Sequence, residues 1–216
     1  MHKRLLSACA ATLVIVASCR PTATTVTFGA AGPWTEDYGA MNRRGIELAI
    51  AELTAHPRPG QPRIRVVFRD DGGDGMRAAA IAEEFVNRKE ISAVIGHVNS
   101  GAMVAAARVY DEHLPAVATT ASTPALTGIS AWTFRVISSD SMNGLAIARF
   151  AIRRGWRRAA VLYENNAYGR GLAENFKRSF SGTVISIDPI GEAHTAWIAP
   201  VFFGTAASAP APSRSR

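Results

Sequence analysis

At 216 residues the chain has room for one large domain or two small ones, and its 48% apolar content can supply a core. The formal net charge of +7 comes almost wholly from arginine, in pairs such as Arg43–Arg44, Arg153–Arg154 and Arg157–Arg158. These pairs read as solvated helix faces and basic helix ends, and no nucleic-acid partner is expected.

The chain opens on the basic MHKR and the apolar LLSACAATLVIVAS, a stretch too short to span a bilayer comfortably. It runs into Val16-Ala17-Ser18-Cys19, small residues before a cysteine, which resembles a bacterial lipobox. Residues 1–18 therefore read as a lipoprotein signal peptide, Cys19 as the lipidated new N-terminus and 19–24 as a linker. Ordinary cleavage with Cys19 as a bystander, or an uncleaved signal anchor, are the alternatives. Each acyl methylene buried in lipid contributes about 0.8 kcal/mol, so two or more chains would anchor the protein firmly. Cys9 leaves with the signal, and the exported chain then has no internal disulfide. This predicts a location in the periplasm or cell envelope, on the membrane through the anchor. Export argues against ATP or NAD chemistry, and no cofactor is expected.

From residue 25 the pattern alternates. TVTFGA (25–30) reads as a strand. Residues 36–55 carry helical spacing, with Met41, Ile46, Leu48, Ala49 and Leu53 as the apolar stripe. HPRPGQP (56–62) breaks the helix, RIRVVFR (63–69) is a second strand and DDGGDG (70–75) a turn. Helix 76–89, strand 92–96, helix 101–113 and strand 115–119 follow. Such βα alternation with short connections predicts a parallel sheet with helices on both faces. After strand 132–137, a second unit repeats the pattern: helix 142–154, strand 158–164, helix 168–180 and strand 183–188. SSDSMNG (138–144) is the natural crossover. The organisation predicted is an N-terminal lobe over 25–138, a partial second lobe over 139–190, and an irregular or disordered tail over 191–216.

In open parallel sheets ligands bind beyond the carboxyl ends of the strands. Three loops lie there: AAGPWTEDYG (30–39), HVNSG (97–101) and TTASTP (119–124). They offer the hydroxyls of Ser100, Thr119, Thr120, Ser122 and Thr123, and Trp34 and Tyr38 as apolar walls with polar handles. Ser100 opens a helix, where free N–H groups and the dipole favour an anion; its hydroxyl either caps the helix or is shared with a ligand carboxylate.

Enzyme readings find little. Ser100 lacks the nucleophile-elbow glycines, with Val98 and Ala102 in their places. His97 is a structural loop histidine more readily than a base. There is no GxGxxG or P-loop, and DDGGD (70–74) lacks the alternation and closing glutamate of an EF-hand. Asp74 reads as a helix cap and Asp70–Asp71 as a polar strand exit. No His/Cys cluster suggests zinc, and no metal is expected.

Five stretches then fall in a familiar order: AGPWTEDYGAMNRRGIELAIAEL, FRDDGGDGMRAAAIAEEFV, VIGHVNSGAMVAAARVYDEHLPAVATTASTPALT, FRVISSDSMNGLAIARFA and LYENNAYGRGLAENF. Over about residues 25–190 the chain resembles the type I periplasmic binding proteins of the leucine/branched-chain amino acid transporter group. The resemblance implies an α/β fold of two Rossmann-like lobes with parallel sheets, closing on a small ligand that is handed to an ABC transporter permease. It implies no enzyme activity. It implies that Ser100, Thr120 and Ser122 hold a ligand α-carboxylate, that Tyr168 faces the cleft from the second lobe, and that Trp34 or Tyr38 lines the pocket. Family members continue beyond this length, so the later second-lobe strands, the return crossovers and the acidic residue that meets the ligand ammonium are expected after residue 190, where the sequence stops matching. The expectation is an incomplete second lobe, through a frameshift or premature stop, with weak binding or none. A sensory or regulatory module for amides or amino acids on the same fold is the alternative function, and an exported hydrolase a third.

Overall fold

The computed structural model describes residues 24–190. The proposed signal peptide, Cys19, most of the proposed linker and residues 191–216 lie outside the described residues.

Strands and helices alternate as β1 Thr25–Gly32, α1 Asp37–Ala55, β2 Arg63–Asp70, α2 Gly75–Val86, β3 Ile91–Gly96, α3 Ser100–Tyr110 and β4 Ala116–Ala118. A 3-10 turn at Pro124–Leu126 leads into β5 Thr133–Arg135. Then come α4 Asp140–Arg153, β6 Arg158–Glu164, α5 Ala167–Ser179 and β7 Thr183–Ile190. The first five strands form one sheet in the order β2-β1-β3-β4-β5, and β6 pairs with β7 in a second. Every pairing is parallel. The fold is the α/β type expected, with the second sheet small.

Strand periodicity decides which helix covers which face. Ala31, Val67, Val94, Ala116 and Ala118 point to the side covered by α2 and α3, where Phe85, Ala82, Met103, Ala106 and Tyr110 complete a buried core. The opposite face presents Phe28, Ile64, Val66 and Ile95 to α1. Right-handed crossovers require this split, since β1 and β2 are joined in one direction and β2 and β3 in the other. Arg69 on β2 makes a two-pronged ion pair with Glu84 on α2, at 2.6 and 2.8 Å, and Arg88 adds to it from one turn further along.

Two expectations needed correction. Of the stripe proposed for α1, only Ile46 is buried; Met41 and Leu48 are exposed and turned from the sheet, and Leu53 faces it while half exposed. Leu48 lies about 200° around the helix from Ile46, and the residues that face the sheet are Asn42, Gly45, Ile46, Ala49, Ile50 and Leu53. The helix predicted to reach residue 113 ends at Tyr110. There the N–H groups of His113 and Leu114 close back on the Tyr110 carbonyl, and Glu112 takes a left-handed φ of 61°.

In the second unit α4 and α5 pack on one face of β6–β7, around Ala148, Ala151, Phe176 and Phe180, with the two phenylalanine rings stacked at 5.1 Å. Leu162 and Ile185 on the strands are exposed. Pro189 is tolerated in β7 because, among the described residues, that strand is paired on one side only.

Candidate ligand cleft

The order β2-β1-β3 makes the gap beyond β1 and β3 a topological switch point, where the connecting loops diverge and leave a crevice. A cleft of about 640 Å³ opens there. The loop and first turn after β1 contribute Glu36 and Tyr38, the turn after β2 contributes Gly72 and Gly73, and the loop after β3 contributes Val98–Gly101. Thr120, beyond β4, completes that side, and Asn166 and Tyr168 face it from the second unit. Four of the residues singled out in the sequence, Ser100, Thr120, Tyr38 and Tyr168, therefore meet in one place.

The position of β3 depends on a glycine. Gly96 has φ +115°, and a Cβ there would lie 2.2 Å from the Ala31 carbonyl oxygen. Only glycine lets the strand end lie so close to β1 before the loop turns outward.

Asn99, not Ser100, occupies the N-cap of α3, and its side chain makes no capping bond. Its amide Nδ2–H instead donates to the Tyr38 hydroxyl at 3.0 Å. Ser100 is the first helical residue and is 5% exposed. Its Oγ accepts the Thr123 N–H at 3.3 Å, so the hydroxyl proton is free to be donated into the cleft. The uncapped N–H groups and positive dipole end of α3 lie beside it, an arrangement suited to an anion.

The other hydroxyls are committed differently. Thr120 donates to the Val98 carbonyl at 2.9 Å and retains only acceptor capacity. Ser122 is buried away from the cleft walls and donates to Asp140 Oδ2 at 2.9 Å. Asp140, itself fully buried, also accepts from Asn143 Nδ2 at 3.0 Å, so Ser122 ties the first unit to the start of α4. Thr123 caps the 3-10 turn through the Ala125 N–H. Of the two candidate aromatics, Tyr38 reaches the cleft, while Trp34 stands edge-on to Phe68 with ring centroids 5.7 Å apart and is not on the walls.

Across the cleft, the Asn166 side chain caps α5 by accepting the Gly169 N–H at 2.8 Å. A Cβ at Gly169 would come 2.2 Å from the Glu164 carbonyl oxygen, so the tight turn that presents Tyr168 also requires glycine. Burial raises the Tyr168 phenol above its ordinary value, and the negative charges of Asp140 and Glu164 raise it further. Tyr168 is therefore a neutral hydroxyl donor. Among the described residues that line the cleft, Glu36 is the one charged side chain.

His97 does not face Ser100. It is fully buried, with Nδ1 2.6 Å from Asp71 Oδ2 and Nε2 3.1 Å from the Tyr110 hydroxyl. No serine–histidine pair forms. Asp71, read from the sequence as a polar strand exit, is fully buried as the partner of this histidine. Asp74 does cap α2, accepting the Arg77 N–H at 2.8 Å. Among the described residues no group of three His, Cys, Asp or Glu is placed to hold a metal ion. Sequence reasoning missed Asn99, Asn166, Glu36 and the Gly72–Gly73 turn. The N-cap preference for asparagine was the available signal at Asn99 and Asn166.

Comparison with known proteins bears on this arrangement. A family model described as periplasmic binding protein matches residues 25–196. The leucine-, isoleucine-, valine-, threonine- and alanine-binding protein of Pseudomonas aeruginosa is 30% identical over 177 residues, covering 79% of this chain and 47% of its own length. Leu/Ile/Val-binding protein homolog 2 of Brucella abortus is 29% identical over 147 residues, covering 67% of this chain and 39% of its own. Among solved structures, an ABC transporter substrate-binding protein from Desulfitobacterium hafniense in complex with Leu superposes with a TM-score of 0.67 at 27% identity, covering 77% of this chain and 51% of that one. The chain thus spans about half or less of the length of these relatives.

Proposed function

The chain belongs to the periplasmic binding protein family, and from that premise we propose that it binds a small carboxylate, an amino acid of the branched-chain type, for delivery to an ABC transporter permease. The observation that carries this reading is the open N-terminus of α3, uncapped by Asn99 and flanked by a Ser100 hydroxyl with its proton free. A carboxylate there would accept from Ser100 and the helix N–H groups, while Tyr168 would donate from the opposite wall. A binding role, not catalysis, suits a cleft beside which, among the described residues, the one neighbouring histidine, His97, is buried in internal bonds.

The division into lobes at 25–138 and 139–190 belongs to the same reading, with Tyr38 and Tyr168 supplied by different lobes. So do a signal peptide over 1–18, lipidation of Cys19 and a place at the periplasmic face of a membrane. Metabolic labelling with a fatty-acid analogue tests the anchor: label is expected on the full chain and lost on Cys19→Ala.

Binding itself is tested by titrating leucine into isotope-labelled protein and following amide shifts, a method that detects millimolar as well as tight binding. Shifts are expected at Ser100, Gly101, Thr120 and Tyr168. Shifts absent from these positions at saturating leucine, isoleucine and valine would refute the amino-acid reading.

A further inference from the structure

A cluster of three buried polar side chains lies behind the cleft, and the binding role just proposed does not use it. His97 sits between Asp71 and Tyr110, all three fully buried. Burial raises the Tyr110 phenol far above its ordinary value, with the Asp71 charge adding to the effect. The phenol keeps its proton, and the one contact that gives that proton a partner among the described residues has Nε2 as the acceptor. Nδ1 then carries the proton and donates to Asp71 Oδ2. With that tautomer every buried donor in the cluster has a partner.

The cluster reaches both neighbouring walls. The other carboxylate oxygen of Asp71 accepts the Gly73 N–H at 2.8 Å, and the Asp71 N–H donates to the Gly32 carbonyl at 3.1 Å. Gly73 lies so close to Asn99 that a Cβ there would come 3.2 Å from Asn99 Nδ2. His97 itself is two residues before Asn99, and its backbone N–H is held by Met103 Sδ at 3.0 Å. Asparagine at an N-cap ordinarily turns its side chain onto the helix N–H groups. Here it is held off them, against the Gly73 turn and the Tyr38 hydroxyl.

We propose that His97 is a positioning residue: clasped by Asp71 and Tyr110, it locks the Gly72–Gly73 turn against the Val98–Ser100 loop and so keeps Asn99 from capping α3, leaving that helix end open to a ligand. The inference rests on the binding role proposed above only for what the open end receives. Without the clasp the loop relaxes, Asn99 swings onto the helix, and the anion site fills with the protein's own side chain.

The test uses the full chain without ligand first. His97→Asn keeps a donor for Asp71 and loses the Tyr110 contact; Tyr110→Phe removes only the hydroxyl and serves should the first variant fold poorly. Ring nitrogen shifts of His97 in the unaltered protein are expected to show a neutral imidazole protonated on Nδ1. In either variant, amide exchange at Gly73 is expected to rise about tenfold relative to Phe85 in α2, while Gly101 and Ala102 gain protection as Asn99 caps them. A uniform rise at all these amides, or no change, would overturn the proposal. Leucine titration of the same samples separates the two claims: unaltered protein that fails to bind leucine, with the selective exchange pattern present, leaves the positioning role standing and removes the amino-acid reading.

Discussion

Replacing Ser100 by alanine separates two roles that the residue holds at once. The Oγ accepts one backbone N–H, that of Thr123, at 3.3 Å, near the long limit for a hydrogen bond. Losing that weak strut leaves one donor poorly satisfied in a site 5% exposed, a cost of about 1 kcal/mol in folding stability. Among the described residues the hydroxyl proton has no partner, so its loss is felt by a ligand. A hydrogen bond to a carboxylate contributes about 1–3 kcal/mol, which weakens binding roughly 5- to 160-fold. Urea unfolding reads the first quantity and leucine titration the second. Ser100→Thr, which restores a hydroxyl, is expected to recover most of the affinity. An unchanged dissociation constant in Ser100→Ala, alongside the expected loss of stability, would show that Ser100 is a strut between α3 and the 3-10 turn and that the carboxylate lies elsewhere.

Asp140→Asn removes a negative charge that holds the Tyr168 phenol above its ordinary value of 10.0. Tyr168 should then ionise at lower pH, though still above 10.0, because burial is the larger cause; a ring-labelled titration with no shift would contradict the coupling between Asp140 and Tyr168. Glu84 is held below its ordinary 4.5 first by its hydrogen bonds from Arg69. Its contribution to stability is therefore present above that pH and lost as pH falls through the depressed folded value. The pair is only half-buried and screened by solvent, so the effect is small, and Glu84→Gln should show a slightly flatter acid limb in urea midpoints than the unaltered chain; an identical limb would remove the pair from the account.

The βα alternation was legible because strands covered on both faces must be apolar runs, and Pro/Gly breaks mark their ends. RIRVVFR and SAVIG became strands within a residue of where the pattern put them. WTFRVI kept only three paired residues, Thr133–Arg135, because β4 beside it offers only three partners. Long-range partnerships were not legible. Asp71 in a DDGG turn looks like any solvated carboxylate, and its burial depends on a histidine 26 residues away. Ser122 looks like a third cleft hydroxyl until Asp140, 18 residues on, takes its proton.

That last difference orders the whole candidate site. Ser100, Thr120 and Ser122 are alike in a sequence: small hydroxyls in loops at one edge of a parallel sheet. A carboxylate needs donors, and a hydroxyl has one proton to give. Thr120 gives its proton to the Val98 carbonyl and Ser122 gives its to Asp140. Ser100 alone of the three meets a donor, the Thr123 N–H, and so keeps its proton. For either of the others to serve a carboxylate, an existing bond must break, and for Ser122 that would strip a buried carboxylate of one of its two side-chain donors. Three residues that share a motif therefore differ in what they can do, and the difference lies in which partner each has already met.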